Sequence, residues 1–397
     1  MIVRTKIATA ISVAVFAITG TASAEVTLYD YTEATSNYQD AYVNGSFNAT
    51  DGNGHAQTAY NASLALDYDR VVSSANRNLG MTFNADGTLS RGSAAGASSD
   101  SNYLATGSVT ADNYFQPNSK GLFWYGSGEL GLKKGADSIF SKAGVGIGYG
   151  RVVNVTPMAK AMRLIEALRE QGGLSGNPSK ATYLKVAQII SKEDEYQSKY
   201  RLGNYEQQWI TDIEKALVAS GMVRGSMSAA SVIEARDVLI NERISTRKHG
   251  WLVRGGLGLI LSNYDGTDGG DPTLDIGAEY HRPLSNETQF SNVTKFSSIY
   301  GDDDTGYRLY NTMSLTHELS DKIDWENSWL MDYSKAGDAG GTDLTTNTLS
   351  STFRYYLNNQ LDLTATAKIS DTEDDIANNG NDDTDLSFNV GASYRLR

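Results

Sequence analysis

The feature that most constrains this chain is a two-residue alternation of apolar and polar side chains, clearest in its last run. The apolar positions of that run are Leu386, Phe388, Val390, Ala392, Tyr394 and Leu396. Successive side chains of a β-strand point to opposite faces, so this run predicts a strand with one apolar and one polar face. Similar runs recur along most of the chain and end in short turns rich in Gly, Asp and Asn. The chain is therefore expected to form a large sheet that is apolar on one side only.

Residues 1–24 have the three parts of a secretory signal peptide. Arg4 and Lys6 are basic, residues 7–18 are apolar, and residues 22–24 are the small side chains Ala-Ser-Ala. The apolar run is too short to be a good membrane span, and an uncleaved N-terminal anchor is the alternative. No later run reaches roughly 18 apolar residues, so any membrane role has to come from strands.

The composition restricts the class of protein further. The chain has no Cys, so it does not resemble a small secreted domain held together by disulfides. Its formal net charge of −13 disfavours a nucleic-acid partner, because binding to phosphates requires a basic surface. Low overall hydropathy is compatible with a membrane barrel, because such a barrel presents only every second side chain to lipid.

The alternating runs predict about fourteen antiparallel strands in two groups. One group lies in residues 38–155, after a polar N-terminal lead at 25–37, and the other lies in residues 249–397. The predicted strands cover 38–49, 57–69, 79–85, 103–114, 124–132, 143–155, 251–261, 274–280, 290–300, 307–319, 323–333, 349–357, 361–369 and 386–396. An even number fits a single-chain bacterial barrel, so the predicted fold class is an all-β transmembrane barrel.

Residues 156–248, between the two groups, change to a helical period and predict an inserted α-helical domain of about four short helices. Thr156 and Pro157 suit the start of the first helix, and Gly172 ends its apolar periodicity. The others are predicted at 180–192, 205–219 and 228–243. Their apolar stripes are expected to form the core of one bundle. The insertion is balanced to slightly basic whereas the strands are acidic, which would let it dock on the barrel or on another acidic partner.

Turn lengths and aromatic residues predict which barrel end each strand reaches. The termini of such barrels lie in the periplasm, which places the short turns at 282–287, 320–322 and 358–360 there and the insertion on the periplasmic side or in the lumen. Rings expected at the periplasmic ends of apolar faces are those of Trp251, Tyr280, Trp325, Tyr355 and Tyr394, and rings expected at the outer ends are those of Tyr300, Tyr307 and Tyr333. Because rings prefer membrane interfaces, they predict two aromatic girdles.

The last strand also carries a short motif. Asn389-x-Gly391-x-x-Tyr394-x-Leu396 resembles the C-terminal signal by which bacterial outer-membrane proteins engage the barrel-assembly machinery. Arg397 departs from that pattern, since many such proteins end on an aromatic residue. Together with the signal peptide, the resemblance implies a bacterial outer-membrane β-barrel protein of a Gram-negative cell, whose partners are membrane lipid and the assembly machinery.

A stripe of glycines lies on the polar face of the two strands that flank the insertion. Its members are Gly144, Gly146, Gly148, Gly256 and Gly258. The strict period of two is not the GxGxxG spacing of a nucleotide-binding turn. One hypothesis is that part of the insertion packs against the space these glycines leave. The alternative is strand curvature, for which glycine is also used.

Charged residues of both signs fall on the polar face, which would line the lumen. Those expected to set the selectivity of a pore are Arg254, Glu279, Lys295, Arg308, Asp324, Glu326, Arg354 and Lys368. A lumen of about fourteen strands admits small solutes unless it is plugged. The expected function is a channel for a hydrophilic solute or exported polymer, gated or coupled by the insertion. The alternative is a non-conducting anchor whose helical domain recruits periplasmic or envelope partners.

The residues predict no enzyme, no cofactor and no metal site. The histidines are His55, His249, His281 and His317. They form no HExxH motif, and no Ser or acid spacing marks one of them as the base of a triad. Only a His, a Ser and a carboxylate within hydrogen-bond reach would revive an enzymatic interpretation. The acidic runs at 265–271, 302–304 and 374–383 lack EF-hand spacing, so a solvated repulsive surface is preferred over a calcium site.

Overall fold

A computed structural model describes residues 26–52, 56–200, 204–266, 269–301, 305–335, 337, 342–376 and 384–396. Some of the expectations lie outside the described residues. These are the signal peptide at 1–24, His55, the acidic run at 302–304, part of the acidic runs at 265–271 and 374–383, and Arg397.

The described residues form fourteen antiparallel strands that close into one barrel in sequence order. The strands are β1 Ser36–Thr50, β2 Ala59–Ser73, β3 Arg77–Arg91, β4 Asp100–Tyr114, β5 Leu122–Lys133, β6 Phe140–Asn154, β7 Lys248–Ser262, β8 Pro272–Pro283, β9 Thr288–Tyr300, β10 Thr305–Ser320, β11 Ile323–Lys335, β12 Asp343–Tyr356, β13 Leu361–Asp374 and β14 Thr384–Arg395. The predicted fold class, an all-β barrel with a helical insertion, is confirmed.

Both the start of β1 and the end of β14 lie at one end of the barrel, called the capped end below; the opposite end is called the open end. The connection from β6 to β7 also leaves from the capped end, because Asn154 pairs with Lys248. The helical segment between these two residues therefore lies at the capped end. At the same end, the connections after β8, β10 and β12 are short.

The outward face of the barrel is apolar and accessible. Leu386, Phe388 and Val390 of β14 are 78%, 70% and 69% exposed. Apolar exposure of this extent suits contact with hydrocarbon and is unfavourable in water. Exposed outward rings at the capped end are those of Trp251, Tyr280, Trp325, Tyr355 and Tyr394, and at the open end those of Tyr300 and Tyr307.

The inward face is polar, and its exposure changes along the barrel. Near the open end, the inward side chains of Asn48 and Asn389 are exposed. Near the capped end, those of Asp40, Asp324 and Ser393 are buried. Water therefore reaches the lumen from the open end, whereas protein covers the capped end.

The helical segment contains five α-helices among the described residues, one more than predicted. They are α1 Thr156–Glu170, α2 Lys180–Ile190, α3 Glu193–Lys199, α4 Tyr205–Ala219 and α5 Ala229–Arg236, and α5 continues into a π turn at Asp237–Asn241. The additional helix, α3, buries no side chain, so it has no apolar stripe by which the sequence could reveal it. Its first turn is acidic, which suits the positive end of the helix dipole.

The helices pack around a core of their own, called the helical domain below. Trp209 of α4 is completely buried, and its Nε1 donates a hydrogen bond of 2.9 Å to the Ile189 carbonyl. Leu28 and Tyr31 of the N-terminal lead join the same core. The lead is thus part of the helical domain.

Strands β1 and β14 pair along only part of their length. The ladder between them runs from Tyr42–Arg395 to Gly45–Ala392 and contains four residue pairs. The ladder between β1 and β2 contains fifteen pairs, and that between β13 and β14 contains eleven. The barrel therefore has one short seam, where its first and last strands meet.

Candidate functional site

The candidate site is the junction at which the helical domain closes the capped end. Residues 242–247, called the strap below, connect the π turn to β7. On the strap, Arg243 Nη2 lies 3.1 Å from Asp40 Oδ2 of β1. Arg395 of β14 binds the other oxygen, with Nη2 2.7 Å from Asp40 Oδ1. Arg243 also donates to the Tyr42 hydroxyl. One buried carboxylate thus joins the strap to both strands of the seam.

Further along the strap, Arg247 is completely buried and forms an ion pair with Glu318 of β10, with 2.6 Å between Nη2 and Oε1. Glu318 also binds Arg163 of α1 at 3.0 Å and accepts a hydrogen bond of 2.9 Å from the Ser245 backbone N–H. The remaining guanidinium N–H groups of Arg247 donate to the carbonyls of Ser245 and Asn286. Removing one partner of such a buried pair typically costs about 3–5 kcal/mol. The strap is therefore firmly held.

The strap also contacts the wall at β11. Asp324 Oδ2 accepts hydrogen bonds from the Ser245 hydroxyl and, at 2.7 Å, from the Tyr356 hydroxyl. Asn359, in the turn after β12, donates to the Ile240 carbonyl. The strap contacts β1 through Arg243 and continues into β7, and these two strands are six apart in a ring of fourteen, so the strap spans the mouth from one side to the other. Asp324, predicted to line a pore, faces the strap.

A cavity of about 750 Å³ lies between the helical domain and the rim of the barrel. Its walls include Lys160 of α1, Glu193 of α3, Arg243 and Arg395. Burial lowers the pKa of the Lys160 ammonium, and Glu193 offsets part of this effect. Burial raises the pKa of the Glu193 carboxyl, and Lys160 offsets part of that effect. The cavity is a polar chamber with the size of a small-molecule site.

Arg254 of β7, inside the lumen, is held by two carboxylates. Its Nη2 lies 2.7 Å from Asp112 Oδ2, and its Nη1 lies 2.5 Å from Glu279 Oε1. The guanidinium also lies over the Phe123 ring, 6.0 Å from its centroid. Arg254 and Glu279, both predicted to line the lumen, thus neutralise each other in a wall cluster. Asp112 was missed, although alternation along β4 places it on the polar face.

A second cluster lies on the opposite part of the wall. Arg354 Nε lies 2.9 Å from Glu326 Oε1, and Arg354 Nη1 lies 2.7 Å from Asp362 Oδ1. Arg308 pairs with Asp332 at 3.1 Å, but these two side chains remain 59% and 33% exposed. Most of the predicted selectivity residues therefore have their charge balanced by a neighbour.

Two of the predicted lumen residues differ from the others in having no ion-pair partner among the described residues. Lys295 and Lys368 are exposed, and neither forms an ion pair within the part of the chain that the structure describes. Lys142, which the sequence did not single out, is instead paired with Asp275 at 2.6 Å. Free positive charge in the described lumen wall is therefore found at Lys295 and Lys368.

The glycine stripe contacts neighbouring strands and not the helical domain. A Cβ at Gly146 would lie 2.6 Å from Tyr125 Cε1, and one at Gly148 would lie 2.5 Å from Phe123 Cε2. These two rings project from β5 and are buried with Leu252. The remaining glycines, whose nearest neighbours are also strand atoms, are Gly144, Gly256 and Gly258. The structure corrects the expectation that the insertion packs here, because the rings of β5 already fill the space.

One cluster contains a His, a Ser and a carboxylate. His281 Nδ1 lies 2.9 Å from Ser291 Oγ, and His281 Nε2 lies 3.5 Å from Glu279 Oε2. A hydrolase triad needs an acid that orients the imidazole and a serine that substrate can reach. Here the acid lies beyond ordinary hydrogen-bond distance and is bound by Arg254, and the imidazole is only 6% exposed. The geometry favours a contact that holds the wall together.

Among the described residues, no group of three His, Asp or Glu side chains is arranged to hold a metal ion. None of the helices described is long and apolar enough to cross a membrane.

A closed barrel with an apolar exterior, aromatic rings near both ends and a polar interior defines a β-barrel protein of the outer-membrane class. The family model described as "Protein of unknown function, DUF481" matches residues 242–356. That match spans the strap and strands β7 to β12, which is less than half of the chain. No curated protein sequence matches the chain significantly.

Several solved structures are similar in architecture. An outer membrane channel from Pseudomonas putida F1 is 9% identical, with a TM-score of 0.36, over 95% of this chain and 99% of that chain. A loop-deletion mutant of OmpT, an outer membrane protein of Vibrio cholerae, is 9% identical, with a TM-score of 0.31, over 91% and 99%. CdiB from Escherichia coli is 8% identical, with a TM-score of 0.37, over 90% and 63%. Identities and TM-scores this low carry no argument about function, so the class of protein is inferred from the closed barrel of this chain.

Proposed function

We propose that this protein is an outer-membrane channel for small hydrophilic solutes, and that its helical domain is a gate at the periplasmic end. The observation that carries the proposal is the change in burial along the lumen. Inward polar residues such as Asn48 and Asn389 are open to water, whereas Asp40 and Asp324 are buried where the strap crosses the mouth. A solute that enters from the open end therefore meets the strap.

The contacts of the strap support a gate with two states. The core of the helical domain includes Val153 at the end of β6, and its ties to the other strands of the barrel are polar, through Asp40, Glu318 and Asp324. Polar ties around a rigid body permit an alternative position more readily than a continuous apolar core does. In the open state, the domain swings away from the mouth while β6 and β7 stay in the wall.

Two glycines supply a hinge for this movement. Gly150 of β6 and Gly250 of β7 have φ angles of +106° and +114°, which non-glycine residues rarely adopt. They lie where these strands leave the wall for the helical domain. The strands therefore change direction at two of the positions that connect the gate to the barrel, and the third connection is the lead, which enters β1 at Ser36.

The ion pairs in the lumen reduce the number of charged residues to which we assign ion selectivity. Arg254 and Arg354 are each neutralised by two carboxylates, so they fix the shape of the wall. Lys295 and Lys368 carry free charge and would interact with passing ions. We therefore assign selectivity to these two lysines out of the predicted set.

Planar-bilayer recording tests the channel. The full-length protein is compared with a deletion of residues 158–247, which leaves Val155–Pro157 to join the paired residues Asn154 and Lys248. We expect rare openings from the full chain and steady conductance from the deletion. Heat-modifiable migration on a gel serves as the control for folding of the shortened barrel.

The same recordings discriminate between the channel and a sealed anchor. Absence of conductance from a folded deletion would exclude the channel. Stoichiometric capture of a periplasmic protein by the full-length barrel, but not by the deletion, would then support an anchor that recruits envelope partners through residues 156–248. Cell fractionation of the tagged protein tests its location in the outer membrane.

A further inference from the structure

The pairing between β1 and β14 stops before the open end. Its last residue pair is Gly45 with Ala392, although both strands continue beyond that point. In the same register, residues 46–50 would pair with residues 391–387, and these pairs are missing. Five residues of strand span roughly 17 Å. This unpaired stretch of the seam, called the slot below, lies in the half of the barrel that faces the open end.

The two sides of the slot differ in chemistry. On the outward side, Phe47, Phe388 and Val390 are 73%, 70% and 69% exposed. On the lumen side, Asn48 and Asn389 are exposed. Apolar rings thus border the slot toward the membrane, and amides border it toward water. A ligand that fits this slot has to be amphiphilic.

A free cation lies beside the slot on its lumen side. Lys368 of β13 pairs with Ser387 of β14 in the ladder, so its Cα lies one strand from the slot edge. Its side chain faces the lumen, is exposed, and has no ion-pair partner among the described residues. An anionic group held there would gain an ionic contact.

We propose that this slot is a lateral binding site for an amphiphile with an anionic head group and an acyl chain. The head group lies in the lumen near Lys368, Asn48 and Asn389, and the chain lies outside against Phe47 and Phe388. Unpaired strand edges are unfavourable in hydrocarbon because their N–H and C=O groups lack partners. A polar head group and its water supply such partners to the edges from the lumen side.

The shape of the slot favours an acyl amphiphile over a partner β-strand. A strand inserted between two edges would hold them about 9.6 Å apart along its whole length, which is twice the spacing of paired strands. Here the edges converge on the paired residues Gly45 and Ala392. A slot that narrows to a point suits a tapered chain better than a ribbon of uniform width.

The first test measures whether the slot exists in solution, using the fact that the chain has no Cys. Nitroxide labels on Asn48→Cys and Asn389→Cys report the distance across the seam. The matched control is Thr366→Cys with Asn389→Cys, because Thr366 and Asn389 are paired in the β13–β14 ladder. We expect stronger dipolar broadening of the EPR spectrum in the control than in the seam pair. Equal broadening would show a closed seam and overturn the proposal.

The second test identifies the occupant. The full-length protein in neutral detergent is exposed to dodecyl phosphate that carries a diazirine in its alkyl chain, and cross-linked peptides are identified by mass spectrometry. We expect labelling around Phe47 and Phe388 that unlabelled dodecyl phosphate competes and dodecanol does not. Lys368→Gln should weaken this labelling about tenfold, the typical effect of losing one charge-assisted hydrogen bond.

A thiol cross-linker supplies the matched control for the labelling. A bifunctional methanethiosulfonate that bridges Asn48→Cys and Asn389→Cys blocks the slot and should abolish the labelling, whereas the same reagent on Thr366→Cys and Asn389→Cys should leave it unchanged. Labelling that is uniform around the barrel, or that survives closure of the slot, would overturn the proposal. An open slot that the probe does not label would also overturn it and would favour a polypeptide strand as the occupant.

This inference goes beyond the channel proposed above. Its readouts are a distance across the seam and a cross-linking pattern, and neither measures conductance. A barrel that never conducts can still bind an amphiphile in its wall, and a conducting barrel can have a closed seam. The two proposals therefore fail separately.

Discussion

Glu318→Gln is the substitution that most directly tests the gate. The Glu318 carboxylate binds Arg247 of the strap at 2.6 Å and Arg163 of α1 at 3.0 Å, and it accepts the Ser245 N–H at 2.9 Å. The amide has nearly the same shape but no charge. It can still accept one of these hydrogen bonds, so the perturbation is mainly electrostatic.

The magnitude follows from the burial of Arg247. Its side chain is 0% exposed, and its other contacts are backbone carbonyls, so the substitution leaves a buried guanidinium without a counter-charge. Such a change costs about 3–5 kcal/mol. Arg163 loses less, because it keeps Glu242 and Asp321 as partners. If opening exposes the strap to water, about 3 kcal/mol shifts the closed-to-open ratio roughly 150-fold.

Single-channel recording measures that ratio as the open fraction. The matched control is Asp332→Asn, which breaks the ion pair with Arg308. Those two side chains are 59% and 33% exposed, so the control should change the ratio by less than about fivefold. An open fraction for Glu318→Gln that equals the wild-type value, together with a conducting deletion of 158–247, would refute the role of this ion pair.

Three further predictions follow from named contacts. Gly146→Ala should prevent assembly of a heat-stable barrel, because the added Cβ would lie 2.6 Å from a backbone Cα of the neighbouring strand. Heat-modifiable migration on a gel measures assembly. The matched control is Gly255→Ala, whose Cβ would have no atom within 4 Å and which should assemble normally. Glu193→Gln should raise the Tm of the helical domain at pH 7, because burial raises the pKa of that carboxyl and its ionised form is therefore disfavoured in the folded state. Between the raised folded-state pKa and the unfolded-state pKa of 4.5, the folded wild type binds more protons than its unfolded state and gains stability as pH falls. The Tm advantage of Glu193→Gln over wild type should therefore shrink as pH falls toward 4.5. A difference in Tm that stays constant with pH would contradict this assignment. Replacing Lys295 and Lys368 together by Gln should shift the reversal potential of an open channel toward cation selectivity, and an unchanged potential would remove both lysines from the permeation path.

The sequence predicted the barrel because a physical signal repeats in it. A strand with lipid on one side and water on the other has to alternate, so even a single run such as 386–396 reveals its two faces. The ladder registers follow the same parity, so Arg254 and Lys368 lie on the inward face of β7 and β13. The helix α3 escaped detection because none of its residues is fully buried, so it carries no apolar period.

The site could not be predicted in the same way, because its contacts join distant parts of the chain. Asp40 binds Arg243 across 203 positions and Arg395 across 355. A periodic pattern in a short stretch of sequence cannot identify partners that are this far apart. They come together only when the barrel closes and the helical domain docks on it. The glycine stripe shows the same limit. Its spacing revealed missing volume, but whether a helix or the Phe123 ring fills it depends on the side chains of the next strand.

Asp40 takes part in both the gate and the seam. Its carboxylate binds Arg243 of the strap and Arg395 at the paired foot of the β1–β14 ladder, and it is only 8% exposed. Movement of the strap therefore withdraws one of the two cations that hold Asp40, while Arg395 remains to hold the strands. Asp40→Asn should loosen both features, raising the open fraction and also reducing the heat stability of the barrel. Glu318→Gln should raise only the open fraction, because Glu318 lies on β10, away from the seam. If Asp40→Asn opens the channel but leaves the heat stability unchanged, the gate and the seam are independent, and the ladder alone holds the first strand to the last.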